Sequence, residues 1–123
     1  MNELTDDNIN IIQLKNTLKD EDKMAIIYLT ANWCGPCKRI YPLILEVINK
    51  LSKEYNKKFI FYKADIDKND LLSEIFNVQS VPTFILINNE VIIDRFTGAD
   101  IDKFKELLKV GYKFKDNITI DSK

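Results

Sequence analysis

The chain has 123 residues, of which 46% are hydrophobic and 30% charged, and its 18 basic and 19 acidic residues leave a formal net charge of −1. This length predicts a single domain with one core, and the mixed charges exclude the large basic surface that nucleic-acid or anionic-membrane binding requires. No apolar run approaches the ~20 residues of a membrane span, and the acidic N-terminus lacks secretory-signal features, so the sequence predicts a soluble protein.

The first 21 residues are the least clear part of the sequence. Their apolar positions favour a helix that begins near Asp6 or Asp7, and they fit a strand through Ile12 almost as well. Residues 24–29 then form a short, continuous apolar run. Such a run is typical of a strand that is buried on both faces.

A long amphipathic helix is predicted next, from Cys37 to near Tyr55. Its apolar residues recur at spacings of three and four, and they are Ile40, Ile44, Val47 and Leu51. Residues 59–63 repeat the strand pattern. The strands before and after this helix are expected to run parallel, because the helix carries the chain back across the sheet.

A shorter helix and two more strands follow. The helix is opened by residues 67–69 and is predicted to bury Leu72, Ile75 and Phe76. Residues 83–87 and 91–96 are β-prone runs separated by the polar turn 88–90. This spacing predicts an antiparallel hairpin.

The last helix is predicted to follow Gly98, with Asp100 as its cap and Gly111 as its end. The residues expected to face the sheet are Phe104, Leu107 and Leu108. Residues 112–123 begin with alternating aromatic and basic side chains, which favours an extended packed segment. The predicted order of the core elements is β-α-β-α-β-β-α.

The only two cysteines, Cys34 and Cys37, lie at the junction between the first strand and the long helix. Two intervening residues let the sulfurs meet across one helical turn, so that dithiol and disulfide can interconvert with little backbone movement. At a helix start, free N–H groups and the helix dipole favour the Cys34 thiolate, whereas Cys37 should be less exposed and less acidic. Cys34 would attack a target disulfide and Cys37 would resolve the mixed disulfide.

The neighbours of the cysteines suit the same chemistry. Gly35 permits close approach of a substrate backbone, and Pro36 stiffens the spacer. Trp33 offers a flat apolar surface beside the nucleophile, and Lys38 adds positive charge. These residues are therefore candidates for active-site support.

Other uses of this cysteine spacing need ligands that the sequence does not supply. A structural zinc site takes four Cys or His ligands, and the chain has two cysteines and no histidine, so zinc would require a shared site in a dimer or carboxylate ligands. An iron–sulfur cluster would also need a dimer, and c-type haem needs a histidine where Lys38 stands. Two inert core cysteines are a further alternative. We predict no metal site.

The sequence Ala-Asn-Trp-Cys-Gly-Pro-Cys-Lys at residues 31–38, with Val-Pro-Thr-Phe at 81–84 and Gly98 downstream, resembles the thioredoxin family. The resemblance covers about residues 22–110. It implies the thioredoxin fold, an α/β three-layer α/β/α sandwich with a central mixed sheet.

This resemblance also implies a domain organisation. We expect a single thioredoxin domain over residues 1–123. Its core is preceded by an N-terminal helix or strand at 1–21 and followed by a short C-terminal extension at 111–123.

Roles for individual residues follow from the resemblance as well. Cys34 resembles the nucleophile of the family, Cys37 the resolving thiol, and Pro82 the cis-proline that faces them. A cis bond exposes the backbone of Val81, so that an extended client peptide could pair with it like an added strand. The substrate-binding groove implied in this way is lined by Trp33, Val81, Pro82 and Gly98.

Position 28 departs from the family pattern. Many thioredoxins bury an aspartate there that helps proton transfer at the resolving cysteine, but this chain has Tyr28. A phenol with a pKa near ~10 is a poor base at neutral pH, so Tyr28 is interpreted either as core packing or as catalytic support. Lys63 resembles the lysine that partners the aspartate, and it should here contact Tyr28 or solvent. Thr30 replaces a bulky aromatic residue and could open the floor of the site.

The function implied is that of a protein-disulfide reductase that binds no cofactor and works through its redox-active Cys34–Cys37 disulfide. Its expected partners are disulfide-containing client proteins and a separate thioredoxin reductase that uses NADPH, since the chain has no glycine-rich nucleotide loop. We expect a cytoplasmic monomer that binds neither nucleic acid nor membranes. The alternatives are a thiol oxidase or isomerase, and a redox-independent binding module or assembly subunit that uses the Pro82 groove.

Overall fold

Five strands form one mixed β-sheet at the centre of the molecule. The computed structural model describes residues 1–9, 23–88 and 91–121, with side chains as far as Phe114. The strands are β1 Asn2–Glu3, β2 Met24–Thr30, β3 Phe59–Asp65, β4 Thr83–Asn88 and β5 Val91–Thr97. Their order is β1-β3-β2-β4-β5; β1, β3 and β2 are parallel, and β4 is antiparallel to both of its neighbours.

Four helices lie wholly within the described ranges. They are α1 Gly35–Asn49, α2 Lys53–Lys58, α3 Asp70–Ile75 and α4 Ile101–Asp121. The predicted order of elements is confirmed, with α2 as an addition. The long helix predicted to reach Tyr55 ends at Asn49 instead, because Ser52 caps a new helix by accepting a hydrogen bond from the Tyr55 N–H.

Buried side chains pack on both faces of the sheet. The central strands β2 and β4 are buried along their whole length, which explains their continuous apolar sequences. On one face, the helix residues that pack against the strands are Ile40, Ile44, Phe104, Leu107 and Leu108. On the opposite face they are Leu72 and Phe76. The three-layer α/β/α sandwich with a central mixed sheet is therefore confirmed.

The N-terminal segment is tied to one edge of the sheet and to α3. Strand β1 pairs with β3, and the Asp6 carboxylate accepts hydrogen bonds from the backbone N–H groups of Leu71 and Leu72 at 3.2 and 2.8 Å. Asp6 thus caps a helix that lies 65 residues away along the chain. The N-terminal helix predicted from the sequence falls mainly on residues 10–22, outside the described residues.

Helix α3 begins as predicted, with Asn69 at its N-cap position, and it extends over only six residues. The predicted burial of Ile75 is wrong, since Ile75 is 43% exposed while Leu72 and Phe76 are buried. A helix of six residues presents only a narrow side to the sheet. Leu72 and Phe76, four residues apart, share that side.

The start of α4 agrees with its prediction. Oδ1 of Asp100 accepts hydrogen bonds from the backbone N–H groups of Asp102 and Lys103, at 3.0 and 3.1 Å. These contacts pair two of the free donors of the first turn, which is the expected action of a capping residue. None of the helices in the described part of the chain is both long and apolar enough to cross a lipid bilayer.

The C-terminal end of α4 does not agree with its prediction. Gly111 does not end the helix, which continues to Asp121, so the extended segment predicted for residues 112–123 is wrong over that range. Gly111 is buried, and a Cβ atom placed on it would lie 2.6 Å from Cε1 of Phe59. The glycine therefore permits close packing of the helix on this aromatic ring.

Replacing Gly111 by alanine is expected to lower the free energy of unfolding by about 1 kcal/mol. Alanine gains roughly 1 kcal/mol in helix propensity over glycine, but an added methyl group in a filled core costs about 1–3 kcal/mol. The Phe59 ring has little room to move, since it stacks on Tyr55 and Phe61 at centroid distances of 6.2 and 6.0 Å. Urea unfolding measures the difference.

The control for this change is Val110→Ala, at the neighbouring exposed position of the same helix. It should alter the free energy of unfolding by about 0.5 kcal/mol or less. A Gly111→Ala protein as stable as the wild type would contradict the close packing.

Candidate active site

The two cysteines lie where β2 leads into α1, as predicted. They are joined by a disulfide, with their Cα atoms 5.3 Å apart. Cys34 occupies the N-cap of α1, and its Sγ accepts a hydrogen bond of 3.1 Å from the backbone N–H of Cys37. An N–H group and the positive end of a helix dipole stabilise negative charge on a sulfur in this place. The geometry favours Cys34 as the thiolate.

Exposure distinguishes Trp33 from the cysteines. Trp33 is 69% exposed, whereas Cys34 and Cys37 are 3% and 1% exposed. The predicted difference in exposure between the two cysteines is therefore small. Pro36 lies in the first turn of α1, where its missing N–H is not needed, and Lys38 is exposed beside it.

The segment that precedes β4 faces the disulfide. The Val81–Pro82 peptide bond is cis, as the resemblance implied. The Val81 carbonyl oxygen lies 3.7 Å from Cys34 Sγ. Gly98, at φ +115°, donates its backbone N–H to the Pro82 carbonyl oxygen at 2.9 Å. The fold thus brings Cys34, Val81, Pro82 and Gly98 together, with Trp33 next to Cys34 in the chain.

Tyr28 belongs to the core that supports the disulfide. It is 1% exposed, and its ring stacks on those of Tyr41 and Phe84 at 5.8 and 5.2 Å. Its hydroxyl donates a hydrogen bond of 2.9 Å to the Cys37 carbonyl oxygen and lies 3.2 Å from Thr30 Oγ1. Burial raises the pKa of Tyr28, so the phenol is neutral at physiological pH. These contacts support the interpretation of Tyr28 as core packing.

Lys63 contacts a ring that the sequence did not indicate. Its Nζ lies 4.5 Å from the ring centroid of Tyr41, in a cation–π arrangement, and the residue is also partly exposed to solvent. Sequence reasoning missed Tyr41. The available signal was its position four residues after Cys37, which places both on one side of α1.

A cavity of about 320 Å³ opens beside Cys37. It lies where Thr30 was expected to open the floor of the site. Its wall includes the side chains of Glu3, Tyr28, Thr30, Tyr41, Lys63 and Asp65. The sequence did not single out Asp65, which enters the cavity because β3 pairs with β2 so that Asp65 stands beside Thr30.

The arrangement of donor atoms bears on metal binding too. Among the described side chains, which belong to residues 1–9, 23–88 and 91–114, no three of His, Cys, Asp or Glu are grouped in a way that could hold a metal ion. The disulfide itself can carry two electrons, so the chemistry of this site needs no bound cofactor.

Comparisons with known proteins agree with this geometry. A thioredoxin family model matches residues 4–110. The chain is 39% identical to an H-type thioredoxin of Chlamydomonas reinhardtii over 90 residues, which are 73% of this chain and 76% of that protein. It is 36% identical to Thioredoxin-T of Drosophila melanogaster over 89 residues, 72% of this chain, and it spans only 54% of that longer relative.

A solved structure of Plasmodium falciparum thioredoxin is similar as well, with a TM-score of 0.71 at 32% identity over 89% of this chain and 97% of that one. The family match includes Cys34, Cys37 and Pro82. A cysteine pair at disulfide distance on this framework performs thiol–disulfide exchange. The chain therefore belongs to the thioredoxin family of thiol–disulfide oxidoreductases.

Proposed function

We propose that this protein reduces disulfides of client proteins and is itself reduced by a separate thioredoxin reductase with electrons from NADPH. The observation that carries the proposal is the position of Cys34 Sγ, 3.1 Å from the Cys37 N–H at the start of α1 and 3.7 Å from the Val81 carbonyl oxygen. A thiolate in this place is stabilised by the helix and lies next to a backbone on which a client can dock.

The proposed reaction has two steps. The Cys34 thiolate attacks one sulfur of a client disulfide, a mixed disulfide forms, and the other client sulfur leaves as a thiolate. Cys37 then loses its proton and attacks Cys34 Sγ, which forms the Cys34–Cys37 disulfide and releases the second client thiolate. Two electrons pass to the client, and exchange with the reductase restores the dithiol.

The client is proposed to bind in extended form beside Pro82. Trp33 is strongly exposed and Val81 is partly exposed, so both offer contact surface near Cys34. A Cβ placed on Gly98 would meet nothing within 4 Å, which means that the groove is open on that side. The exposed Lys38 adds positive charge.

The proposed setting is the cytoplasm, where a reducing environment keeps reactive cysteine pairs as dithiols. We propose a monomer that binds neither nucleic acid nor membranes. The formal charge of −1, with both signs mixed along the chain, supports the latter point.

An insulin-reduction assay coupled to NADPH tests this function. With a thioredoxin reductase present, NADPH oxidation should require both this protein and insulin. The midpoint potential of the Cys34–Cys37 couple should be about −270 mV, the value typical of thioredoxin. A potential of about −120 mV is typical of a strong thiol oxidase. Such a value, together with no insulin reduction, would overturn the proposal.

A further inference from the structure

Under the proposed function, on which this inference rests, the Cys37 thiol must lose its proton before it can resolve the mixed disulfide. Resolution of the mixed disulfide requires the Cys37 thiolate, since a thiol is a weak nucleophile. Cys37 is only 1% exposed, so its sulfur is shielded from bulk water. The proton must therefore pass to a group within the protein, or to water in a cavity.

Tyr28 does not serve as the acceptor. A phenol has one hydrogen, and the 2.9 Å hydrogen bond to the Cys37 carbonyl oxygen uses it. A neutral phenol in this arrangement does not take a proton from a thiol at neutral pH. The acceptor must come from another element that reaches the cavity beside Cys37.

Two carboxylates, Glu3 and Asp65, line that cavity, and their positions differ. Asp65 is 9% exposed and is paired with Thr30 at the ends of β3 and β2. Paired residues of neighbouring strands point to the same face, so Asp65 shares a face with Thr30 and Tyr28. Glu3 is exposed and lies on β1, which is separated from β2 by β3. Asp65 is thus the buried carboxylate next to the strand that supports Cys37.

The other titratable side chains of the cavity wall, besides Tyr28, are Lys38, Tyr41, Lys63 and Lys68. None of these is a carboxylate, and Lys63 lies over the ring of Tyr41. Oδ1 of Asp65 accepts a hydrogen bond of 2.9 Å from the backbone N–H of Asp67, which fixes the orientation of the carboxyl group. A cavity of about 320 Å³ has room for several water molecules, each of which takes about 30 Å³ in the liquid.

We propose that Asp65 accepts the proton of Cys37 through water in this cavity. The proton passes from Cys37 Sγ to a cavity water and from water to the Asp65 carboxylate. The Cys37 thiolate then attacks Cys34 Sγ, the bond between Cys34 and the client breaks, and the client leaves as a thiolate. Asp65 then releases the proton to water, and a proton from water returns to Cys37 when the Cys34–Cys37 disulfide is reduced again. Asp65 does not touch the reacting sulfur atoms in this scheme. It acts on Cys37 only through the water, so we call it a positioning residue and not a catalytic residue.

The two steps can be observed separately with 5,5′-dithiobis(2-nitrobenzoate). The first nitrothiobenzoate anion is released when Cys34 attacks the reagent, and the second when Cys37 resolves the mixed disulfide. Stopped-flow absorbance from pH 6 to 9 would follow both phases in the wild type, Asp65→Asn and Glu3→Gln. Glu3→Gln is the matched control, because it removes the exposed carboxylate of the same cavity.

For Asp65→Asn, the second phase at pH 7 should be slower by about tenfold or more, since general base catalysis contributes at least that much. Its rate should rise about tenfold per pH unit, because hydroxide replaces the carboxylate, while the wild-type rate levels off. The first phase, and both phases of Glu3→Gln, should be unchanged. An Asp65→Asn second phase with the wild-type rate and pH profile would overturn the inference.

Two further outcomes keep the test decisive. Asparagine retains an acceptor for the Asp67 N–H. If the variant nevertheless fails to fold, Asp65→Ser replaces it, because a serine hydroxyl oxygen can accept the same hydrogen bond. The same slow, pH-dependent second phase is expected, and a second phase with the wild-type rate and pH profile would overturn the inference. Absence of the second phase in the wild type would instead refute the proposed function, since Cys37 would not resolve.

Discussion

Cys34→Ser is expected to abolish insulin reduction, and Cys37→Ser is expected to arrest the protein as a mixed disulfide with its client. A serine hydroxyl is a far weaker nucleophile than a thiolate at neutral pH, so the loss of turnover should be at least ~1,000-fold in both variants. Cys37→Ser keeps the backbone N–H that binds Cys34 Sγ, and the first attack should therefore proceed.

The two variants serve as controls for each other. Mass spectrometry of each protein, mixed with an oxidised client, should find a covalent adduct with Cys37→Ser and none with Cys34→Ser. An adduct on Cys34→Ser would contradict the assignment of Cys34 as the attacking residue. Full cellular function of Cys34→Ser would favour the redox-independent binding module over the reductase.

Tyr28→Ala is expected to lower the free energy of unfolding by about 3–5 kcal/mol, the cost typical of truncating a buried aromatic side chain. Tyr28 is 1% exposed, and its ring stacks on both Tyr41 and Phe84. Truncation would leave a void between the sheet and α1 and would remove the hydrogen-bond partner of the Cys37 carbonyl oxygen. Urea unfolding of the oxidised protein measures the loss.

Tyr28→Phe separates the ring from the hydroxyl. It keeps the stacking and removes only the hydrogen bond, so the expected loss is about 1–2 kcal/mol. A Tyr28→Phe protein that is as unstable as Tyr28→Ala would contradict the importance of ring packing. A Tyr28→Ala protein within about 1 kcal/mol of the wild type would contradict the burial itself.

The free energy of unfolding should depend on alkaline pH differently in the wild type and in Tyr28→Phe. Burial raises the pKa of Tyr28 in the folded state, so the unfolded chain loses this proton at a lower pH than the folded protein. The contribution to stability is complete below the unfolded pKa of about 10 and is lost as the pH rises through the folded pKa. Unfolding of Tyr28→Phe should lack this part of the alkaline loss.

Much of the fold follows from local patterns in the sequence. Strands β2 and β4 are continuous apolar runs because both of their faces are buried, and the apolar spacing of α1 reflects its one buried side. The Cys34–Cys37 spacing at a strand-to-helix junction favoured a redox pair, since the chain has no histidine and no third cysteine to complete a structural zinc site.

Contacts between distant parts of the chain decided the features that were predicted wrongly or missed. Gly111 would end an isolated helix, but packing on Phe59, 52 residues earlier in the sequence, allows α4 to continue. Asp6 caps α3 only because β1 joins the sheet beside β3. Local propensity contributes little when tertiary packing opposes it.

In the active site too, some features follow from the local sequence and others from contacts between distant residues. The sequence by itself determined the cysteine pair, the helix start that holds Cys34 and the segment around Pro82, because each is a short motif whose chemistry is local. Only the tertiary structure placed Lys63 over Tyr41 and Asp65 in the cavity beside Cys37, because both placements depend on the pairing of β3 with β2 and on the packing of α1 over these strands.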